Sequence, residues 1–170
     1  MGMLADRLNT MEVSAVSPDG NISGRLRNRS EVVLAFRPGS YGRYSEYGLA
    51  DQLGGLARLL WAGRTREYYV ALSEAFGETI SHETPAVSER DRVYRAARDE
   101  LIAEGKSADG SVYVGVQGMR AWVVRIADGT IRELDEDEFG MRVYEASHAM
   151  ITDQFAKIRQ LKDYVYAGDA

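Results

Sequence analysis

Cysteine is absent from this 170-residue chain, and lysine and proline are scarce, with three residues of each. The lack of cysteine excludes disulfides, thiolate metal sites and a cysteine nucleophile, and it suits a reducing compartment. No apolar run approaches the ~18 residues that cross a membrane. The first residues carry Asp6 and Arg7 where a signal peptide needs an unbroken apolar segment. We therefore expect a cytoplasmic protein without a membrane partner.

Excess positive charge is also lacking, since the net charge is −5. Binding to nucleic acid depends on clustered cations that neutralise phosphates and release counterions. The acidic net charge therefore disfavours DNA as a partner.

Catalytic motifs are missing as well. No G-x-S-x-G nucleophile turn occurs, and Gly115, Gly118 and Gly129 do not form a phosphate-binding loop between a strand and a helix. The two histidines, His82 and His148, lack the spacing of a metal site. We expect a protein that is not an enzyme and has no catalytic residues, metal or cofactor.

What the sequence does contain is an internal repeat. The segment from Ser17 matches the segment from Ser107, 90 positions later, without a gap, and both begin with an Asp-Gly hairpin signal at Asp19 and Asp109. The intervening apolar residues alternate with period two in both copies, as half-buried strands require. The aligned apolar positions are Ile22, Gly24 and Leu26 with Val112, Val114 and Val116, and Val32, Leu34 and Phe36 with Trp122, Val124 and Ile126.

Long helices are predicted after each three-stranded meander. Apolar residues recur at three and four positions from Leu49 to Phe76 and from Phe139 to Val165. The acidic run 135–138 favours a helix N-terminus over a calcium loop, because it lacks EF-hand ligand spacing. Glycines at 54, 55 and 63 predict close approach of another backbone, and we expect the other copy's helix there.

A shorter connecting helix is predicted between the copies. Ser88 is its expected N-cap, Asp91 occupies the third helical position, and Gly105 is the expected stop. Residues 3–10 are its counterpart in the first copy. The predicted fold class is therefore α+β, with two tandem helix-strand-strand-strand-helix units at residues 1–84 and 88–170.

Two candidate surfaces follow from this pattern. The first is a row of arginines, which is either a solvated sheet face or a contact for an anion or an acidic partner; it comprises Arg25, Arg27, Arg29 and Arg37. The second is the distal apolar stripe of the last helix, which extends beyond one sheet and predicts packing on the first copy's helix or on a second chain; it comprises Phe155, Ile158, Leu161 and Val165.

The pattern resembles the YbaB/EbfC family of small nucleoid-associated proteins. The resemblance rests on Ser17-Pro18-Asp19-Gly20 through Phe36, on Leu49 to Leu53, and on a second pass from Asp109-Gly110 through Ile126. It implies an intramolecular pseudo-dimer with antiparallel sheets and long helices. The first copy is also similar to YbaB-like segments of actinobacterial type VII secretion-associated proteins.

These observations favour a non-enzymatic, macromolecule-binding protein. The leading hypothesis is a protein-interaction or chaperone-like accessory factor that is associated with type VII secretion and binds a protein partner or itself. The alternative is a nucleoid-associated DNA-binding protein that uses Arg25, Arg27 and Arg29.

Overall fold

A computed structural model describes residues 2–167, and they form an α+β fold with two antiparallel three-stranded sheets and two long helices. The sheets have the strand orders β1-β2-β3 and β4-β5-β6. In chain order the elements are α1 (Gly2–Thr10), β1 (Val13–Val16), β2 (Ile22–Arg27), β3 (Glu31–Phe36), a 3-10 turn (Tyr41–Arg43), α2 (Glu46–Phe76), α3 (Glu89–Glu100), β4 (Ile102–Lys106), β5 (Val112–Gln117), β6 (Ala121–Ile126), α4 (Thr130–Glu133) and α5 (Glu136–Tyr166).

The spacing of these elements agrees with two repeated units. β2, β3 and α2 recur as β5, β6 and α5 with both boundaries displaced by 90 residues. Strand pairing recurs too, because Val13 lies opposite Leu26 and Ala103 lies opposite Val116.

Local sequence explains where the long helices begin. The Ser45 hydroxyl accepts a hydrogen bond from the Gly48 N–H at 3.0 Å at the start of α2. At the start of α5, Asp135 and Glu138 form a reciprocal capping box, which confirms the helix N-terminus expected from the acidic run. α2 ends at Phe76 and is capped by Gly77, whose φ of 71° is readily adopted only without a side chain.

Each long helix packs on strands of both sheets. α2 covers β1 and β2 of its own sheet and β6 of the other, and α5 covers β4, β5 and β3. Buried residues of both sheets and both helices therefore belong to one hydrophobic cluster, in which Ile22, Leu49, Val112 and Phe139 are fully buried.

The connecting helix is shorter than the sequence predicts. Its N-terminus at Ser88 has the expected capping box with Asp91, but the helix ends at Glu100 and residues 102–106 form β4. This strand buries Ala103 and Gly105 and exposes Ile102. The small residues face the core and the large apolar residue faces out. This is the reverse of the pattern that usually indicates a half-buried strand, in which large apolar residues face the core.

The helix glycines meet a different neighbour from the one expected. A Cβ atom on Gly55 would lie 2.6 Å from Pro18 in the β1–β2 turn, and one on Gly63 would lie 3.7 Å from Val13 in β1. Within the described part of the chain, nothing lies within 4 Å of a Cβ atom placed on Gly54. The groups nearest these glycines are side chains of the same unit, so the expectations of a close backbone and of the other copy's helix were both wrong.

Candidate interaction surfaces

The arginines of β2 lie on its outward face. Ile22, Gly24 and Leu26 are buried, whereas Arg25 is exposed and Arg27 is half-buried on the other side. Arg25 Nη1 lies 3.2 Å from Glu12 Oε1, and Arg27 Nε lies 3.1 Å from Glu31 Oε2. Each guanidinium of this pair already has a carboxylate partner.

The other two predicted arginines occupy different settings. Arg29 lies in the β2–β3 turn with φ of 72°, and its guanidinium lies 4.4 Å from the ring centroid of Phe155. Arg37 follows β3 and lines a shallow groove with Arg43 and Tyr44. The structure thus keeps two arginines of the row together and separates Arg29 and Arg37 from them.

The distal stripe of α5 lies near α3. Phe155 packs against the hydrophobic cluster, while Ile158, Leu161 and Val165 are half-buried. α3 packs on α5, and the Tyr166 hydroxyl donates to Asp91 Oδ1 at 2.7 Å. This hydrogen bond is the main cause of a raised pKa of Tyr166 and a lowered pKa of Asp91.

β3 is an edge strand beside an open groove. Five consecutive residues, 32–36, form one wall of a groove of about 420 Å³, and the first two turns of α5 form the other. The Arg37 N–H donates to the Asn21 carbonyl at 2.8 Å, which fixes the alternation of the β2–β3 ladder. By that alternation, the N–H and C=O groups of Val32, Leu34 and Phe36 point away from β2, toward the open edge. We call this surface the β3 groove.

The second unit has a counterpart beside β6. Trp122, Val123 and Val124 line a groove of about 370 Å³ whose other wall comes from α2, including Tyr47 and Asp51. Only three strand residues take part here, so the edge is open over a shorter length.

One sequence pattern indicates the β3 groove, namely apolar residues on both faces of β3. Val33 and Ala35 are apolar although they lie on the outward face of β3, so the strand lacks a polar side. The continuous run Val32 to Phe36 is typical of a strand covered on both faces.

Each histidine lies beside a serine hydroxyl. His148 Nδ1 lies 2.9 Å from Ser30 Oγ, and His82 Nδ1 lies 3.1 Å from Ser81 Oγ. Within residues 2–167, no group of three or more metal-ligating side chains is present. The helices of that same part of the chain include none long and apolar enough to cross a lipid bilayer.

A further groove lies where the two units meet. It has a volume of about 700 Å³ and runs between the distal half of α2, the segment 77–88 and the β5–β6 turn. We call it the central groove. Sequence reasoning did not find it, because its walls come from loops and helix faces that are distant along the chain.

Comparison with protein-family models, curated proteins and solved structures yielded no match to this chain.

Proposed function

We propose that the chain is a non-enzymatic, protein-binding accessory factor that holds an extended segment of a partner protein along the β3 groove. The single observation that carries this proposal is the edge strand with outward-directed backbone groups at Val32, Leu34 and Phe36 beside an open groove. PDZ and PTB domains bind peptides by the same mode, in which the peptide adds a strand to an exposed sheet edge.

The composition of the groove favours an apolar and basic segment. Exposed Met141 and half-buried Val33 supply apolar surface, while exposed Glu136 and Asp137 supply negative charge on the opposite wall. In an extended peptide, alternate side chains face opposite sides, so valines can face the groove while lysines reach the acids.

Labelled peptides test this mode directly. We expect a short peptide alternating valine with lysine to bind, and its glutamate counterpart to bind at least about tenfold more weakly because of charge repulsion. Methylating every second backbone nitrogen of the valine–lysine peptide removes the N–H donors along one edge of the peptide. Of the two peptides methylated at the valines or at the lysines, one should therefore not bind, and equal binding of both methylated peptides and the parent peptide would contradict strand addition.

Variants of the protein locate the site. Glu136→Gln with Asp137→Asn should weaken binding of the lysine peptide several-fold, measured by fluorescence anisotropy. Asp51→Asn, in the groove that Trp122, Val123 and Val124 of β6 line, is the matched control and should leave binding unchanged. Circular dichroism would verify that the first variant keeps α5, whose N-terminus these acids also favour.

The wider setting of this function rests on the resemblance to the YbaB/EbfC family. On that basis, we propose that the two units represent a fused pseudo-dimer, that the protein is cytoplasmic, and that its partner belongs to a type VII secretion pathway. Self-association through the same edge is a second way to fill the β3 groove.

The alternative function is DNA binding, favoured by the outward position of Arg25 and Arg27. Their ion pairs with Glu12 and Glu31 weaken this candidate, because phosphates must compete with those carboxylates. We expect weak or absent duplex binding at about 150 mM salt in a fluorescence titration. Submicromolar binding that is lost in Arg25→Ala/Arg27→Ala would place DNA binding first.

A further inference from the structure

The central groove adjoins an apolar cavity. Trp61 and Met119 line both spaces, and the cavity of about 60 Å³ lies between the sheets and the long helices. Its remaining lining is almost entirely aliphatic or aromatic, with residues such as Leu26, Leu60 and Val114. An engineered apolar cavity of about 150 Å³ holds benzene. The smaller cavity here therefore suits a group of a few carbon atoms.

The arginines that line the groove differ in whether they have a carboxylate partner within residues 2–167. Arg98 lies 2.7 Å from Glu83, and Arg120 lies 3.2 Å from Asp99. Arg64 has no carboxylate within ion-pair distance in residues 2–167, and its guanidinium lies 5.0 Å from the ring centroid of Trp61. Burial, together with the nearby Arg29, lowers the pKa of Arg64. An anion in the groove would offset both the burial and the repulsion.

A buried hydrogen-bond acceptor lines the same groove. Gln154 is 8% exposed, and its side-chain oxygen has no hydrogen-bond partner in the described chain. An unpaired buried acceptor is costly, so a ligand that donates an N–H at this position gains a favourable bond.

We propose that the central groove binds an N-acylated branched-chain amino acid through its free carboxylate. Arg64 pairs with the carboxylate, the Gln154 oxygen accepts from the N–H, and the branched side chain enters the cavity between Trp61 and Met119. The same chemistry occurs in a small N-acyl amino acid and in the C-terminal residue of a peptide. This site is separate from the β3 groove and does not depend on the proposed strand addition.

N-acetyl-L-leucine is the defining probe, and its amide N-acetyl-L-leucinamide is the matched control without the carboxylate. Titration followed by ¹H–¹⁵N NMR should show saturable shifts of the Trp61 and Gln154 side-chain signals with N-acetyl-L-leucine. The amide should bind at least about tenfold more weakly, since a charge-assisted bond to Arg64 is lost. A tetrapeptide ending in leucine distinguishes the sources: tighter binding than N-acetyl-L-leucine identifies a peptide C-terminus, whereas weaker binding identifies the small acid.

Two variants separate ligand binding from folding. Arg64→Gln should reduce affinity at least about tenfold, while Arg66→Gln, an exposed position on the same helix, should not change it. Gln154→Leu should abolish the preference for an N–H donor while leaving the melting temperature of the free protein equal or higher, because an unpaired buried acceptor is removed. The proposal is overturned if no probe saturates, or if the probes bind Arg64→Gln as tightly as the parent protein.

Discussion

In each unit the first hairpin turn packs on the long helix of that unit, but the side-chain contacts between turn and helix differ. In the first unit, the Asp19 N–H donates to Gln52 Oε1 at 2.9 Å, and Pro18 packs against Gly55. In the second, Arg142 stands at the position of Gln52, and its Nε lies 3.1 Å from Asp109 Oδ2 as an ion pair without hydrogen-bond alignment.

A second pair of contacting positions in turn and helix also differs between the units. Glu145 stands where the first unit has Gly55, and it accepts from the Ala108 N–H at 2.7 Å. The first unit has proline in place of Ala108, which has no N–H to donate. The change from glycine to Glu145 is therefore matched by the change from proline to Ala108, whereas the turn aspartate that faces Arg142 is the same in both units.

In the core, the larger side chain comes from the helix in the first unit and from the strand in the second. Gly24 of β2 lies against Leu56 and Leu60 of α2, whereas the second unit has Val114 on the strand and Ala146 on the helix. Paired substitutions at contacting positions of strand and helix therefore leave the backbone of the two units alike, although the individual residues differ. This explains why so few identical residues accompany the repeated boundaries.

The largest loss of stability is expected for Gly105→Ala in β4. A Cβ atom there would lie 2.3 Å from Met150 N and 2.4 Å from Ala146 O, both in the backbone of α5. We expect a loss of about 3 kcal/mol or more, or failure to fold, because a helix backbone cannot move aside locally. Urea unfolding measures the loss.

Gly24→Ala is the matched control. Its Cβ would meet only flexible ends of Leu56 and Leu60, at 3.0–3.2 Å. We expect a loss of about 1 kcal/mol at this position. Equal losses at both glycines would show that the second unit does not depend on the close approach of β4 to α5.

This close approach also marks where sequence reasoning reached its limit. Period-two alternation located β2, β3, β5 and β6, because their inward residues are mostly large and apolar. It missed β4, where the approach of α5 selects Ala103 and Gly105 on the buried side. The spacing of apolar residues indicates which side of a strand is hydrophobic, but it does not indicate that the backbone of β4 lies against the backbone of α5.

The candidate surfaces were predictable to a smaller extent. The outward position of Arg25 and Arg27 follows from alternation within one strand, whereas their ion pairs with Glu12 and Glu31 depend on neighbouring strands. The central groove depends on residues brought together by both units, such as Arg64 and Gln154. No local pattern in the sequence specifies that juxtaposition.

The next test concerns the short helices, which pack on the long helices in both units. Ile158 is half-buried on α5, the helix against which α3 packs. We expect Ile158→Asp to lower stability by about 2 kcal/mol, because it partly buries an unpaired charge. In a chain of this size, that loss lowers the melting temperature by roughly 4–8 °C.

Light scattering identifies what covers the stripe. We expect the molecular mass to stay the same in Ile158→Asp, with exposed Arg159→Asp as the control for charge alone. A lower mass with an unchanged melting temperature would instead identify a second chain as the partner. No change in either property would show that the stripe is not a packing surface.

A smaller effect should separate the two turn-to-helix contacts. Glu145→Ala removes the acceptor for the Ala108 N–H, and Gln52→Ala removes the acceptor for the Asp19 N–H. Both contacts lie at the surface, so we expect each change to cost about 1 kcal/mol or less, measured by thermal unfolding. A much larger cost in one unit would mean that the two contacts are not equivalent.

The smallest effect distinguishes the aspartates of the two turns by pH. Hydrogen bonds from the Ser111 side chain and backbone lower the pKa of Asp109 to about 2, from an ordinary value of 3.8. Partial burial opposes a lower pKa at Asp19, but hydrogen bonds from Ser17 and Tyr44 together outweigh it. A carboxyl group with a depressed folded-state pKa stabilises the fold above its unfolded pKa, and that contribution is lost as the pH falls through the folded value.

Asparagine at either position keeps an oxygen acceptor and removes the charge. We therefore expect Asp109→Asn to be less stable than the parent protein at about pH 6 and to approach it between about pH 4 and pH 2. Asp19→Asn should show a smaller change over the same window, because burial opposes ionisation there. Urea unfolding at several pH values measures both. A deficit in Asp109→Asn that is constant with pH would show that the hydrogen-bond geometry, and not the carboxylate charge, distinguishes the second turn from the first.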